Sequence, residues 1–332
     1  MADSRLVLLK IFAMFLVMLL GWFARHREYL TAQVTSTLSR FVVDFTMPAL
    51  IFTQLLRTVD AGTLKASWYL PLLGALVLLL GQGVGLISMP FFSRRDQRGT
   101  YLFLIAVANW VYLPLPIVDA LYHAEGVRVI LLTNVGSQLV LWTLGVWTLR
   151  GGKPDLASLR KLVTNPGLIA TAIGIILALT LPLTHTLEQV DPVTASPLLL
   201  TAGALVQALK MIGDLTIPLS LVVIGAQLGE LDLSDHRPSR TLVGVLISRL
   251  LLTPVCAVAL VVLIAHLGIT LPVVPRMTSY IIAAMPVAVS CSIFTEHFGG
   301  DTPLAARAIF YSTAISIASV PLLFYLIQRG GW

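Results

Sequence analysis

The chain has 332 residues, 57% of them hydrophobic and only 11% charged, with a mean hydropathy of +0.90. A soluble domain carries about 25% charged residues, so one globular core is excluded and an integral membrane protein is expected. The net charge of +6 does not point to nucleic acid, because the basic residues sit in short loops such as "SRRDQR" (93–98) and "RGGKPDLASLRK" (150–161), where they act as topology signals.

A hydrocarbon core of ~30 Å needs about 20 apolar residues per helix. In chain order the predicted spans are 5–24, 31–56, 67–89, 101–121, 127–149, 165–182, 197–228, 239–266, 275–296 and 303–327. The fold class is therefore an all-α polytopic membrane protein of ten transmembrane helices, with no room for a soluble domain. The first run is followed by "RHRE" rather than a small-residue cleavage site, so it reads as a retained span. Span 6 opens on Asn165-Pro166, an N-cap with proline at the first helical position.

Ten spans put both termini on one side of the bilayer. The opposite loops carry Arg25, Arg27, Arg94, Arg95, Arg98, Arg150, Lys153, Arg160, Lys161, Arg237 and Arg240; the terminal side carries fewer basic residues. By the positive-inside rule the richer side is cytoplasmic. A multi-pass protein of the cell membrane (inner or plasma) with extracytoplasmic termini is expected.

The second span, "SRFVVDFTMPALI" (39–51), recurs as "LKMIGDLTIPLSL" (209–221). Arg40 matches Lys210, Asp44 matches Asp214, Thr46 matches Thr216 and Pro48 matches Pro218, all at an offset of 170 positions. The same offset carries Pro116 onto Pro286. Residues 1–149 thus form one five-helix repeat, 150–164 a short cytoplasmic loop, and 165–332 a second repeat. Five is odd, so the second repeat runs inverted, as in many secondary transporters.

Span 4 carries Asn109, then Pro114 and Pro116; span 9 carries Pro286, followed by Ser290, Cys291 and Ser292. Helices broken within lipid free backbone groups that protein or a water-filled cavity must satisfy. Matched breaks in two repeats point to a substrate site near the midplane. Half-helices beginning at Pro114–Pro116 and at Pro286 would aim free N–H groups and positive dipole ends into that cavity, favouring an anion. Asn109 can both donate and accept. In span 5, Asn134, Ser137 and Gln138 form a polar face at helical spacing.

Arg40 and Asp44, like Lys210 and Asp214, are four residues apart and fall on one helix face. They read as intrahelical ion pairs, with a protonatable coupling role for either aspartate as the alternative. Arg249 in span 8 is expected to snorkel to the interface, with attraction of the anion as the alternative, and Glu296 and His297 to be interfacial. Cys256 and Cys291 lie in apolar runs and make neither a disulfide framework nor a metal-ligand spacing. No metal or cofactor is expected, and no ATPase or protease motif occurs.

"FTMPALIFTQLL" (45–56), "ANWVYLPLPIVDALYHAEGV" (108–127), "LVVIGAQLGE" (221–230), "AAMPVAVSCSIFTEHFGGD" (283–301) and "STAISIASVPLLF" (312–324) resemble the auxin efflux carrier family. The resemblance covers about residues 5 to 327. It implies ten spans with outward termini, a scaffold of spans 1, 2, 6 and 7, and a transport domain of spans 3–5 and 8–10. Spans 4 and 9 would cross as broken helices. Family members move organic anions, auxin in plants and malate, malonate or related acids in bacteria. The wider architecture is shared with bile acid:sodium symporters. The short 150–164 loop resembles a compact, bacterial-type member. Asp44 departs from the uncharged residue expected in many relatives.

The sequence therefore predicts a secondary transporter of a small organic anion (auxin-like, dicarboxylate or monocarboxylate), not an enzyme, working by elevator-type alternating access. The alternatives are a sodium-coupled symporter of a bile-acid-type anion and a non-transporting membrane receptor for an anion. The expected partners are the anion and the lipid bilayer, with a homodimer expected from the architecture alone.

Overall fold

The computed structural model describes residues 4–110, 113–152, 160, 163–180, 196–230 and 239–330. The described chain is nearly all helical. In order come α1 (Ser4–His26), α2 (Ala32–Phe41), α3 (Met47–Thr58), α4 (Ala61–Ala66), α5 (Leu70–Phe92), α6 (Arg98–Ala106), α7 (Pro114–Val140) and α8 (Val146–Leu149). The second half holds α9 (Pro166–Thr180), α10 (Pro197–Asp214), α11 (Thr216–Glu230), α12 (Arg240–Ile247), α13 (Thr253–His266), α14 (Val273–Ala284), α15 (Cys291–Phe298) and α16 (Thr302–Gly330). Most of the 150–164 loop, with Lys153 and Lys161, lies outside the described residues, as do Arg237 and the end of the sixth predicted span.

Among the described residues, five helical stretches are long and apolar enough to cross a membrane: Ala61–Phe92, Pro114–Leu149, Pro197–Gly229, Arg240–His266 and Thr302–Leu326, the second of them broken by a non-helical kink at His123 with φ 49°. Phe12–His26 and Pro166–Thr180 are shorter apolar helices. The helix starts follow side-chain chemistry. Thr31, Asp60, Asn165, Ser196 and Ser239 each accept a bond from the backbone N–H three residues on, satisfying a donor the helix itself leaves free.

Two prolines widen the helices that contain them. Proline has no N–H, and its ring collides with the carbonyl four residues back. In each case a π turn, which bonds i to i+5, precedes the proline: Val42–Thr46 before Pro48, and Ser248–Leu252 before Pro254. The first π turn contains Asp44, and the expected Arg40–Asp44 ion pair is not formed. The matching Lys210 and Asp214, in the regular α10, do pair, Nζ to Oδ2 at 2.8 Å.

The closest helix crossings here use glycine, whose missing side chain lets backbones approach. A Cβ on Gly21 of α1 would overlap the Val222 carbonyl of α11, and one on Gly225 the Met18 carbonyl. The α5–α7 crossing repeats this arrangement, with Gly74 against the Thr133 carbonyl and Gly136 against that of Pro71. α3 packs on α9 and α10, whereas α5, α6, α7 and the helices after residue 240 pack on one another. A buried hydroxyl trio ties α5, α6 and the Ser248–Leu252 turn together. Tyr101 Oη donates to Ser88 Oγ at 2.9 Å, and the Ser248 hydroxyl lies 3.0 Å from Ser88 and 3.1 Å from Tyr101.

Candidate functional site

Both predicted breaks are present, and they meet. α6 ends at Ala106 and α7 begins at Pro114; α14 ends at Ala284 and α15 begins at Cys291. Between them Ala108 and Val287 form an antiparallel bridge, with Asn109 N–H donating to the Pro286 carbonyl at 2.9 Å and Ala288 N–H to that of Val107 at 3.1 Å. Ser312 Oγ of α16 accepts from Val287 N–H at 3.1 Å. The two extended segments thus satisfy each other's backbone groups, as irregular chain at membrane depth requires.

The first half-helix starts as expected, with Pro114 at its first position. The second does not start at Pro286. Met285 is already extended, and Pro286 lies in the crossing segment itself, with the helix resuming only at Cys291 after Ser290. Its carbonyl, rather than a dipole end, is what Pro286 contributes.

Beside the crossing lies a cavity of about 200 Å³. Of the residues singled out in the sequence, Asn109, Asn134, Ser137, Gln138 and Ser290 line it. Pro114 and Pro116 are buried in the first turn of α7, and Pro286 and Ser292 are also absent from the lining. Asn109 Oδ1 accepts from Leu113 N–H at 3.3 Å, which fixes the side chain just before α7. Ser137 Oγ donates to Asn134, 2.8 Å from the carbonyl and 3.2 Å from Oδ1.

Several lining residues escaped sequence reasoning. Trp110, Trp142 and Phe294 supply aromatic walls, Val43 and Met47 come from the π turn and start of α3, and Asn165, Gly167 and Leu168 bring the amino end of α9 to the cavity. Trp142 had a readable signal, since Asn134, Gln138 and Trp142 follow at i, i+4 and i+8. The indole N–H groups of Trp110 and Trp142 are enclosed and find no acceptor among the described residues, although buried indoles ordinarily do.

Among the described residues, the lining contains no Asp, Glu, Lys, Arg or His. What it offers is amides, hydroxyls, two unmatched donors and the amino ends of α9 and α15. That set can hold an anionic or polar head group against an aromatic wall. Asp44, Asp214, Arg40 and Lys210 also lie outside the lining.

The expectation that Arg249 snorkels is overturned. Its side chain is 1% exposed. Nε donates to the Met285 carbonyl at 2.9 Å, Nη1 to Ile105 at 2.9 Å, and Nη2 to Ile282 at 3.1 Å and Ala283 at 2.6 Å. These carbonyls lie at the ends of the broken helices, that of Ile282 also accepting Met285 N–H at 3.1 Å, and they solvate the guanidinium more closely than a distant interface could.

A family model described as "Membrane transport protein" matches residues 6–158 and 153–324. The chain belongs to the auxin efflux carrier family. It is accordingly a multi-pass secondary membrane transporter, in a family of transporters rather than enzymes. An uncharacterized transporter of Methanothermobacter thermautotrophicus is similar to it, 25% identical over 319 residues, which cover 94% of this chain and 95% of the relative.

Proposed function

We propose that this carrier moves a small organic anion by elevator-type alternating access, with the crossover cavity as its substrate site. The observation that supports this most is the cavity's composition. Helix amino ends, amides and two unmatched indole donors surround a space with no charged side chain among its described lining residues. Such a lining stabilises a negative head group without binding it so tightly that release is lost.

The elevator reading is supported by which elements share the cavity. On one side are Val43, Met47, Asn165, Gly167 and Leu168, from the predicted scaffold spans 2 and 6; on the other are residues of the predicted spans 3, 4, 5 and 9. A site at the seam between two packed bodies opens to alternate sides when one slides past the other. In this reading the ten predicted spans cross as two inverted repeats, with extracytoplasmic termini in a cell membrane.

Reconstituted vesicles test the proposal. Saturable flux of labelled malate, malonate or indole-3-acetate is expected, and repeating it with and without sodium or a pH gradient identifies the coupling ion. Binding of a carboxylate with no flux under any gradient contradicts transport and favours an anion receptor.

A further inference from the structure

Arg249 is a buried cation with no carboxylate beside it. None of the described acidic side chains pairs with it, and its four hydrogen bonds all go to main-chain carbonyls. Those carbonyls have one thing in common. Ile105 lies in the last turn of α6, Ile282 and Ala283 in the last turn of α14, and Met285 is the residue that ends α14. One guanidinium therefore caps the carboxyl ends of both broken helices at once.

The charges can be counted. Each helix carries about −0.5 of a charge at its carboxyl end and about +0.5 at its amino end. Two carboxyl ends sum to about −1, which Arg249 cancels. The amino ends that line the cavity, of α9 and α15, sum to about +1. Neither has an acidic residue in its first turn, and the described lining supplies no compensating charge. Trp110 beside the break adds an enclosed, unmatched N–H, with the residue only 8% exposed.

We infer that Arg249 is a positioning residue that sets the charge selectivity of the crossover: by neutralising the two carboxyl ends, it leaves a site for one negative charge. This rests on the anion-carrier reading and deepens it, since the preferred head group is then a single carboxylate. The Ser248–Leu252 π turn and the Tyr101–Ser88–Ser248 trio hold the arginine in place. Without it, an approaching anion would face the amino ends and the bared carboxyl ends together.

The test measures binding by calorimetry at neutral pH to the purified full-length protein. Two series of matched size are used: malonate, malonamate and malonamide, and indole-3-acetate with indole-3-acetamide. Wild-type protein should prefer a monoanion to its neutral amide, and malonamate to the malonate dianion. Arg249→Met should lose at least tenfold of the monoanion-to-amide ratio while amide affinity holds within about threefold. A merely structural arginine would weaken anion and amide alike, and that result overturns the inference. Should the methionine variant not fold, Ser290→Asp keeps Arg249 and places a carboxylate at the amino end of α15. It should erase the same preference, and a retained preference overturns the charge count. Wild-type protein that binds no carboxylate of either series overturns the anion-carrier reading, and the inference with it.

Discussion

The main-chain N–H of Asn109 donates to the carbonyl of Pro286 at 2.9 Å, joining two helix breaks that lie 177 positions apart in the sequence. Each break would be unaffordable alone in lipid. Together they form a short antiparallel contact that leaves helix ends, rather than charged side chains, to define the neighbouring cavity.

Asn109→Ala removes the acceptor for Leu113 N–H, a donor at a residue only 2% exposed. The unmatched group costs about 1–3 kcal/mol and loosens the start of α7. Carboxylate flux in vesicles should fall about tenfold or more. Asn109→Asp should fall further, because it places a negative charge where the anion binds. Full flux in both variants would exclude Asn109 from the site.

Trp110→Phe and Trp142→Phe keep an aromatic wall and delete the unmatched N–H. An unsatisfied buried donor is itself destabilising by about 1–3 kcal/mol, so the ligand-free protein should melt at an equal or higher temperature. Anion affinity should move the other way. Losing a hydrogen bond to a charged acceptor, about 1.5–3 kcal/mol, weakens binding roughly 10- to 100-fold. Unchanged affinity with unchanged stability would mean that the indoles play no part in recognition.

Asp44 and Asp214 occupy matched positions in sequence but differ in structure, one in a π turn without its arginine and one paired to Lys210 at 2.8 Å. Neither lines the cavity. Asp44→Asn and Asp214→Asn should each leave the pH dependence of flux as in wild type, measured by titrating the external pH. Loss of proton dependence in either variant would assign that aspartate a coupling role.

Gly136→Ala and Gly74→Ala push a methyl group into a backbone carbonyl across the α5–α7 crossing. Overpacking of this kind costs about 1–3 kcal/mol, read as a lower melting temperature in detergent. Gly83→Ala, on the same α5 but with nothing within 4 Å of an added Cβ, should be neutral or slightly stabilising. Equal effects at the three positions would contradict the close crossing.

What the sequence revealed depended on how local the cause was. Prolines at 114 and 286 mark the breaks because proline disrupts a helix wherever it sits. The restart at Cys291 was not legible. Proline normally favours a first helical position, and here the partner segment around Asn109, together with Ser312 on Val287 N–H, holds the run at Pro286 outside the helix. Repeat matching aligned Pro116 with Pro286, whereas the bridge joins Ala108 to Val287. The Arg40–Asp44 pair does not form although the i, i+4 spacing offers it, and a π turn runs through Asp44. Arg249 was misread for a deeper reason: its partners are main-chain carbonyls of Ile105, Ile282, Ala283 and Met285, and a carbonyl carries no sequence signature.

The central claim is that the anion travels in the crossover cavity, and blocking that cavity tests it most directly. Ser290 lines it and makes no side-chain cap to α15, so Ser290→Trp fills the space with little loss of local bonding. Carboxylate flux should fall to the level of empty vesicles while the protein remains folded by circular dichroism and thermal melting. Wild-type flux through folded Ser290→Trp protein would show that the substrate moves by another route.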